Sequence, residues 1–102
     1  MKRYSIIYTH NARIDIQELY FFIVSEYKTY RTAERYVDGL EKAILQLINS
    51  AESFEVQTNP SLSRYGLNVR RINYKRMAII HTVQDKTVFI HRIIPASMIS
   101  GL

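Results

Sequence analysis

The stretch Arg76–Ile94, RMAIIHTVQDKTVFIHRII, decides how the rest of the chain must be arranged. Its two halves, RMAIIHTV and TVFIHRII, are rich in β-branched residues and nearly continuous in apolar content. Such runs read as central strands of a sheet, covered on one face by a second layer. Between them Val83-Gln84-Asp85-Lys86-Thr87 is polar and of hairpin size. A third extended piece, LNVRRI at Leu67–Ile72, precedes them, with Lys75 and Arg76 at the intervening turn. Three strands joined by short turns form an antiparallel meander, and a meander with a buried face needs a second layer to cover it.

The upstream residues supply that layer. In HNARIDIQELYFFIVSEYK, from His10, the residues Ala12, Ile16, Leu19, Ile23 and Tyr27 recur at spacings of three and four, the period of an amphipathic helix. Thr9 or Asn11 is positioned to cap it, with Asp15 near the positive end of its dipole. TAERYVDGLEKAILQLINS, from Thr32, places Ala33, Tyr36, Val37, Leu40, Ile44, Leu47 and Ile48 on one stripe, with Thr32 expected as N-cap. Gly39 inside this helix costs about 1 kcal/mol against Ala, which implies that another backbone packs close there. The short joint at Thr29–Arg31 makes the two helices an antiparallel hairpin. Ahead of them KRYSIIYT, Lys2–Thr9, reads as a first strand of the same sheet. The irregular segment Ala51–Gly66 carries the turn signals Asn59-Pro60 and Tyr65-Gly66. The expected fold is α+β: one domain over residues 1–102, an antiparallel sheet with an N-terminal two-helix hairpin packed on one face.

Composition narrows the function. With 47% hydrophobic and 23% charged residues, three Gly and two Pro, the chain is that of an ordered domain rather than a linker. Having no Cys excludes a disulfide framework, a thiolate nucleophile and thiolate metal sites, and no two His share ligand spacing with a carboxylate. No apolar run approaches the roughly 20 residues of a membrane helix, and MKRYSIIYTHNAR lacks a signal-peptide core. The expectation is a soluble cytoplasmic protein with no membrane partner, no metal and no cofactor. Net charge is +5, and its excess is local: Val56–Gln84 contains no Asp or Glu but carries Arg64, Arg70, Arg71, Lys75 and Arg76. A concentrated positive field favours an acidic partner surface or nucleic acid.

Five motifs make a family resemblance. They are YTxxAxxDIxxL at Tyr8–Leu19, AxRYVDGLxxAIxxL at Ala33–Leu47, YGxNVRRI at Tyr65–Ile72, HTVxD at His81–Asp85 and VFIHRIIP at Val88–Pro95. In these the chain resembles the RelE/ParE superfamily, the toxins of type II toxin–antitoxin systems, over nearly its whole length. The resemblance implies a compact α+β toxin silenced by a partly disordered cognate antitoxin, with DNA binding only through the antitoxin complex. It also implies one of two targets: RelE-like members cleave mRNA on the ribosome, whereas ParE-like members poison DNA gyrase.

Metal-free RNA cleavage needs a base, a cation on the phosphate and an acid for the leaving oxygen. Relatives that cut RNA tend to carry an Arg where this chain has Arg71, Tyr-Arg opening the next strand, and His, Arg or Tyr after the last strand. Here Met77-Ala78 and Pro95-Ala96-Ser97-Met98 occupy the second and third places. A nuclease reading therefore rests on Arg71, His91 and Arg92 alone, and a ParE-like reading is preferred, with Arg70, Arg71, Lys75 and Arg76 as target-binding residues. Adjacent strand residues point to opposite faces, so Arg70 and Arg71 cannot both serve one site, nor can His91 and Arg92. The plain alternatives are a carboxylate partner such as Glu52 or Glu55 for one arginine, solvent for Lys75 and Arg76, and a half-buried, hydrogen-bonded structural role for His81. Tyr27, Tyr30 and Tyr36 are expected to pack around the helix joint. In the tail PASMISGL, residues 95–102, Met98, Ile99 and Leu102 either fold onto the core or dock a partner.

Overall fold

The computed structural model describes residues 3–99. The chain runs β1 (Ser5–Tyr8), α1 (His10–Tyr27), α2 (Tyr30–Leu45), a short α3 (Leu47–Ser50), 3-10 turns at Ala51–Ser53 and Pro60–Tyr65, then β2 (Arg70–Tyr74), β3 (Met77–Gln84), β4 (Thr87–Pro95) and a last 3-10 turn at Ala96–Met98. Among the described residues, no helix is long and apolar enough to cross a membrane. Lys2 and Leu102, read above as strand and tail residues, lie outside the described range.

The meander is present, with β3 antiparallel to both β2 and β4, and the sheet order is β1-β4-β3-β2. Its turns use positive-φ residues, Lys75 (φ 54°) and Asp85 (φ 56°), as tight hairpins between twisted strands require. β1 joins the sheet as expected but runs parallel to β4, with Ser5 opposite Thr87 and Tyr8 opposite Ile90. The sheet is therefore mixed, though mostly antiparallel. The strand nearest LNVRRI begins only at Arg70, because Asn68 takes a positive φ of 53° and Leu67 points into solvent, 89% exposed.

Thr9 holds α1 to the sheet. Its Oγ1 accepts from the Ala12 N–H at 3.2 Å, capping the helix, and lies 3.0 and 3.1 Å from the carbonyls of Ile90 and His91, to which its hydroxyl donates. The α2 cap is Thr29, not Thr32. Lys28 closes α1 in the left-handed region (φ 57°) with its N–H on the Val24 carbonyl, leaving Thr29 extended to accept from Arg31 N–H at 3.2 Å. Thr32 falls inside the first turn of α2 because that left-handed residue shortens the joint by a full turn.

β4 carries a bulge: Ile80 faces Arg92 while His81 faces Ile90, so His91 is an extra residue. Its alternation shifts there, and Val88, Ile90 and Ile93 all enter the helix-side core with Leu40, Ile44, Leu47, Ile72 and Ile79. The opposite face is covered as well. Leu62, Val69, Ala78, Ile80 and Ile99 form a second, smaller core under the 60–65 turn, with Tyr65 and Ile94 at its edge. Ile99 of the tail is thus buried while Met98 is 68% exposed.

Asp15 does not serve the helix dipole. Its carboxylate accepts from Arg92 Nε (2.7 Å) and Nη2 (3.0 Å) and from the Ile93 N–H (2.8 Å), where β4 continues past the end of β1. A side-chain carboxylate thereby satisfies a backbone donor that the missing neighbour strand leaves open. His81 also differs from expectation. It is fully buried, and neither ring nitrogen has a hydrogen-bond partner of good geometry. Burial pushes its pKa down, and the nearby carbonyls of Ala51 and Ile79 offset that only in part. Its ring meets the Phe54 edge at 6.0 Å. At Gly39 the close neighbour is a side chain rather than a backbone: a Cβ there would lie 2.0 Å from Tyr74 Oη and 2.9 Å from Cζ.

Three outcomes are expected. Gly39→Ala lowers stability by about 1–3 kcal/mol through overpacking against Tyr74, and adding Tyr74→Phe restores part of it, as a denaturant-based double-mutant cycle reads. Asp15→Ala strands Arg92 and the Ile93 N–H together and costs about 2–4 kcal/mol in the same assay. For His81, the unfolded imidazole takes up a proton below its ordinary value of about 6.5, whereas the buried one does not. Stability is therefore complete above that pH and falls below it, and His91, also pushed down by burial, adds in the same direction. The urea midpoint declines from pH 7.5 to 5.5, less steeply in His81→Leu.

Candidate interaction surfaces

The four cations around the β2–β3 turn occupy three different settings. Arg70 and Arg71 diverge, as neighbours in a strand must. Arg70 turns toward the helix side and donates to the main-chain carbonyls of Glu52 (3.2 Å) and Phe54, stitching the 51–55 segment to the edge of β2. Arg71 lies on the other face, half-buried, with Nε donating to Asn73 Oδ1 at 2.8 Å. Lys75 and Arg76 are exposed on the turn. Lys75 Nζ stands 5.3 Å from the Tyr36 ring centroid and 5.6 Å from that of Tyr74, and those rings meet edge to face at 5.2 Å. Packing of an ammonium against two aromatic faces fixes its place without neutralising it.

The turn thus forms one wall of a groove of about 730 Å³ at the joint of the helix hairpin. Leu19, Phe22, Ile23, Tyr27, Tyr36 and Met77 supply its apolar surface, Arg35, Lys75 and Arg76 its charge, and no carboxylate stands among the described residues that line it. Phe22 is 60% exposed and Tyr27 65%. Such aromatic exposure on a water-facing helix is a mark of an interaction site. Phe22 and Arg35 were not singled out in the sequence, although the run Tyr20-Phe21-Phe22 is wider than one helical stripe can bury. Of the tyrosines assigned to the joint, Tyr36 packs on Tyr74, while Tyr27 and Tyr30 are largely exposed.

The bulge overturns the expectation that His91 and Arg92 point to opposite faces: Arg92 pairs with Ile80 of the smaller core and His91 lines the cleft with Thr82, so both side chains leave the strand on the face away from the helices. Arg92 is held by Asp15, whose hydrogen bond is the main cause raising its already high pKa. His91 opens into a cleft of about 510 Å³ on the face away from the helices, shared with Tyr65, Gly66, Leu67, Thr82 and Phe89. Its Nε2 is 2.8 Å from Thr82 Oγ1, and burial pushes its pKa down, so the ring is neutral near pH 7. Met77 and Ala78, where RNA-cutting relatives tend to read Tyr-Arg, are 7% and 0% exposed and belong to different cores.

Comparison with known proteins completes the description. The chromosomal ParDE TA system from P. aeruginosa contains a chain of the same fold, with a TM-score of 0.76 at 18% identity over 91% of this chain and 96% of that one. No curated protein sequence gives a significant match. A family model described as the ParE toxin of type II toxin–antitoxin systems, parDE, matches residues 6–100. This chain belongs to the ParE toxin family of type II toxin–antitoxin systems.

Proposed function

We propose that this toxin stops growth by binding an essential protein target rather than by cutting RNA, with DNA gyrase as the target that its resemblance suggests. A cognate antitoxin neutralises it, and any DNA contact is made through that complex, in the cytoplasm. The observation that carries the reading is the state of Arg92: Nε and Nη2 of its guanidinium are engaged by the Asp15 carboxylate, which offsets the charge that a phosphate would need. Of the three residues on which a nuclease would depend, Arg71, His91 and Arg92, only Arg71 presents a cation free of a carboxylate partner in that arrangement. A neutral His91 tied to Thr82 is a weak acid for a leaving oxygen, and Met77 and Ala78 offer no group that transfers protons.

The groove at the helix joint supports the partner assignment. Three cations around an aromatic trough suit an acidic amphipathic segment, whose apolar side chains fill the trough while its carboxylates meet the rim. Lys75 and Arg76 are also target-binding residues in this reading, so the antitoxin neutralises by covering them. Arg70 contributes by holding the strand edge in shape, and Arg71 by direct contact.

Expression of the chain without its antitoxin is expected to produce DNA breaks and an SOS response while transcripts stay intact. Codon-positioned mRNA cuts on ribosomes would instead establish the nuclease alternative. Arg71→Ala is expected to abolish growth inhibition with an unchanged circular-dichroism melt, and full toxicity of that variant would remove Arg71 from the target contact.

A further inference from the structure

The cleft around His91 has walls fixed by a chain of contacts that begins on the other side of the sheet. Asp15 holds Arg92, and Arg92 reaches the Tyr65 hydroxyl. The Tyr65 ring lies 5.5 Å from that of His91, inclined at 35°, and Phe89 lies 6.4 Å from it at 34°. His91 is tied in turn to Thr82. The bulge that aims His91 into this space is the kind of irregularity that re-directs a side chain at a binding site. At the lip, Gly66 (φ 124°) and Asn68 (φ 53°) turn the chain so that Leu67 stands in solvent. Beside the cleft the Arg64 guanidinium rests 5.1 Å from the Tyr65 ring centroid, and no carboxylate stands among the described residues that line the cleft. Aromatic walls with a cation at the rim fit a flat ring that has an anion beside it.

A nucleotide and a protein side chain both answer that description, and hydrogen-bonding capacity separates them. The edge of a nucleobase carries several donors and acceptors, each costly to bury unpaired. Within the cleft the Thr82 hydroxyl is already engaged by His91 Nε2 and the Tyr65 hydroxyl lies by Arg92, which leaves the Gln84 amide and the second ring nitrogen of His91 as the side-chain partners. Arg71, the other cation on this face, leans to Asn73 rather than toward the rim. An indole or phenol brings one polar atom at most. We propose that the cleft receives an aromatic side chain from an acidic segment of the toxin's protein target, the ring packed against the Tyr65, His91 and Phe89 side chains and a neighbouring carboxylate on Arg64. This rests on the target-binding reading above and adds a second contact, on the face opposite the helix-joint groove.

The test uses ¹⁵N-labelled toxin, isolated from its antitoxin, titrated with N-acetyl-L-tryptophan, N-acetyl-L-tryptophanamide and AMP. Saturable shifts are expected at Gly66, Leu67, Thr82, Gln84 and His91, with millimolar affinity for the carboxylate form and about threefold weaker binding of the amide. Arg64→Gln, an exposed change, is expected to erase the difference between those two ligands. Tyr65→Leu is expected to weaken both at least fivefold, and Phe89→Leu repeats that measurement should Tyr65→Leu fail to fold. Tighter binding of AMP, shifts confined to the helix joint, or no saturable shift by 20 mM would each overturn the proposal. Toxicity with DNA breaks but an empty cleft sinks this inference alone; mRNA cleavage sinks the target reading, and with it the source of the side chain.

Discussion

β4 must serve two cores at once, and one extra residue allows it to. Without the bulge at His91, strict alternation after Val88 and Ile90 would send Arg92 into the helix-side core and Ile93 out of it. A buried, unpaired guanidinium there would cost several kcal/mol. With the bulge, Ile93 enters the main core, Ile94 lies against the smaller one, and Arg92 emerges at the point where β1 ends. Asp15 closes that point by bonding both the guanidinium and the Ile93 N–H. Thr9 closes the adjacent one by capping α1 and bonding the Ile90 and His91 carbonyls. Helix α1 is thus attached to the sheet by polar contacts at the bulge as well as by its apolar stripe.

The same irregularity separates charge by function. Pairing with an internal carboxylate offsets the charge of the Arg92 guanidinium, and burial in a ring stack favours the neutral form of His91. What remains solvent-facing is the turn beyond β2, where Lys75 and Arg76 cannot be drawn inward because the two-residue hairpin leaves them outside both cores. Fold and electrostatics together display Lys75 over the Tyr36 and Tyr74 rings, on a surface suited to the recognition role proposed.

Much of this architecture was legible in the sequence because it follows from period. The stripes of α1 and α2 and the paired apolar strands fixed the layers and the meander, and turn residues marked the hairpins. What escaped was set by single atoms at a distance. Nothing local distinguishes Thr32 from Thr29 as a cap until Lys28 is seen in the left-handed region. The partner of Gly39 is the tip of Tyr74, 35 positions along the chain, and in VFIHRII the polar pair His91-Arg92 breaks the apolar run without showing that one of the two is an extra residue. The direction of β1 depends on how many times the chain reverses before β4, a property of the whole topology. The basic segment was visible as a count of charges, but its division among a strand edge, an open face and a helix-joint groove required the pleat and the turn together.

That division constrains how such a toxin is controlled. The groove sits beside the helices and the His91 cleft lies on the opposite face of the sheet, so a rigid partner resting on one leaves the other open. A target that uses both must reach around the β2 edge, where Arg70 and Arg71 point to either side. An antitoxin needs only to cover the groove to break such a two-point attachment, because a loss of one contact leaves the second to hold alone, without the effective concentration that linkage gave it. On the proposed reading, a short acidic segment in the groove would neutralise the toxin even against a target bound over a much larger area.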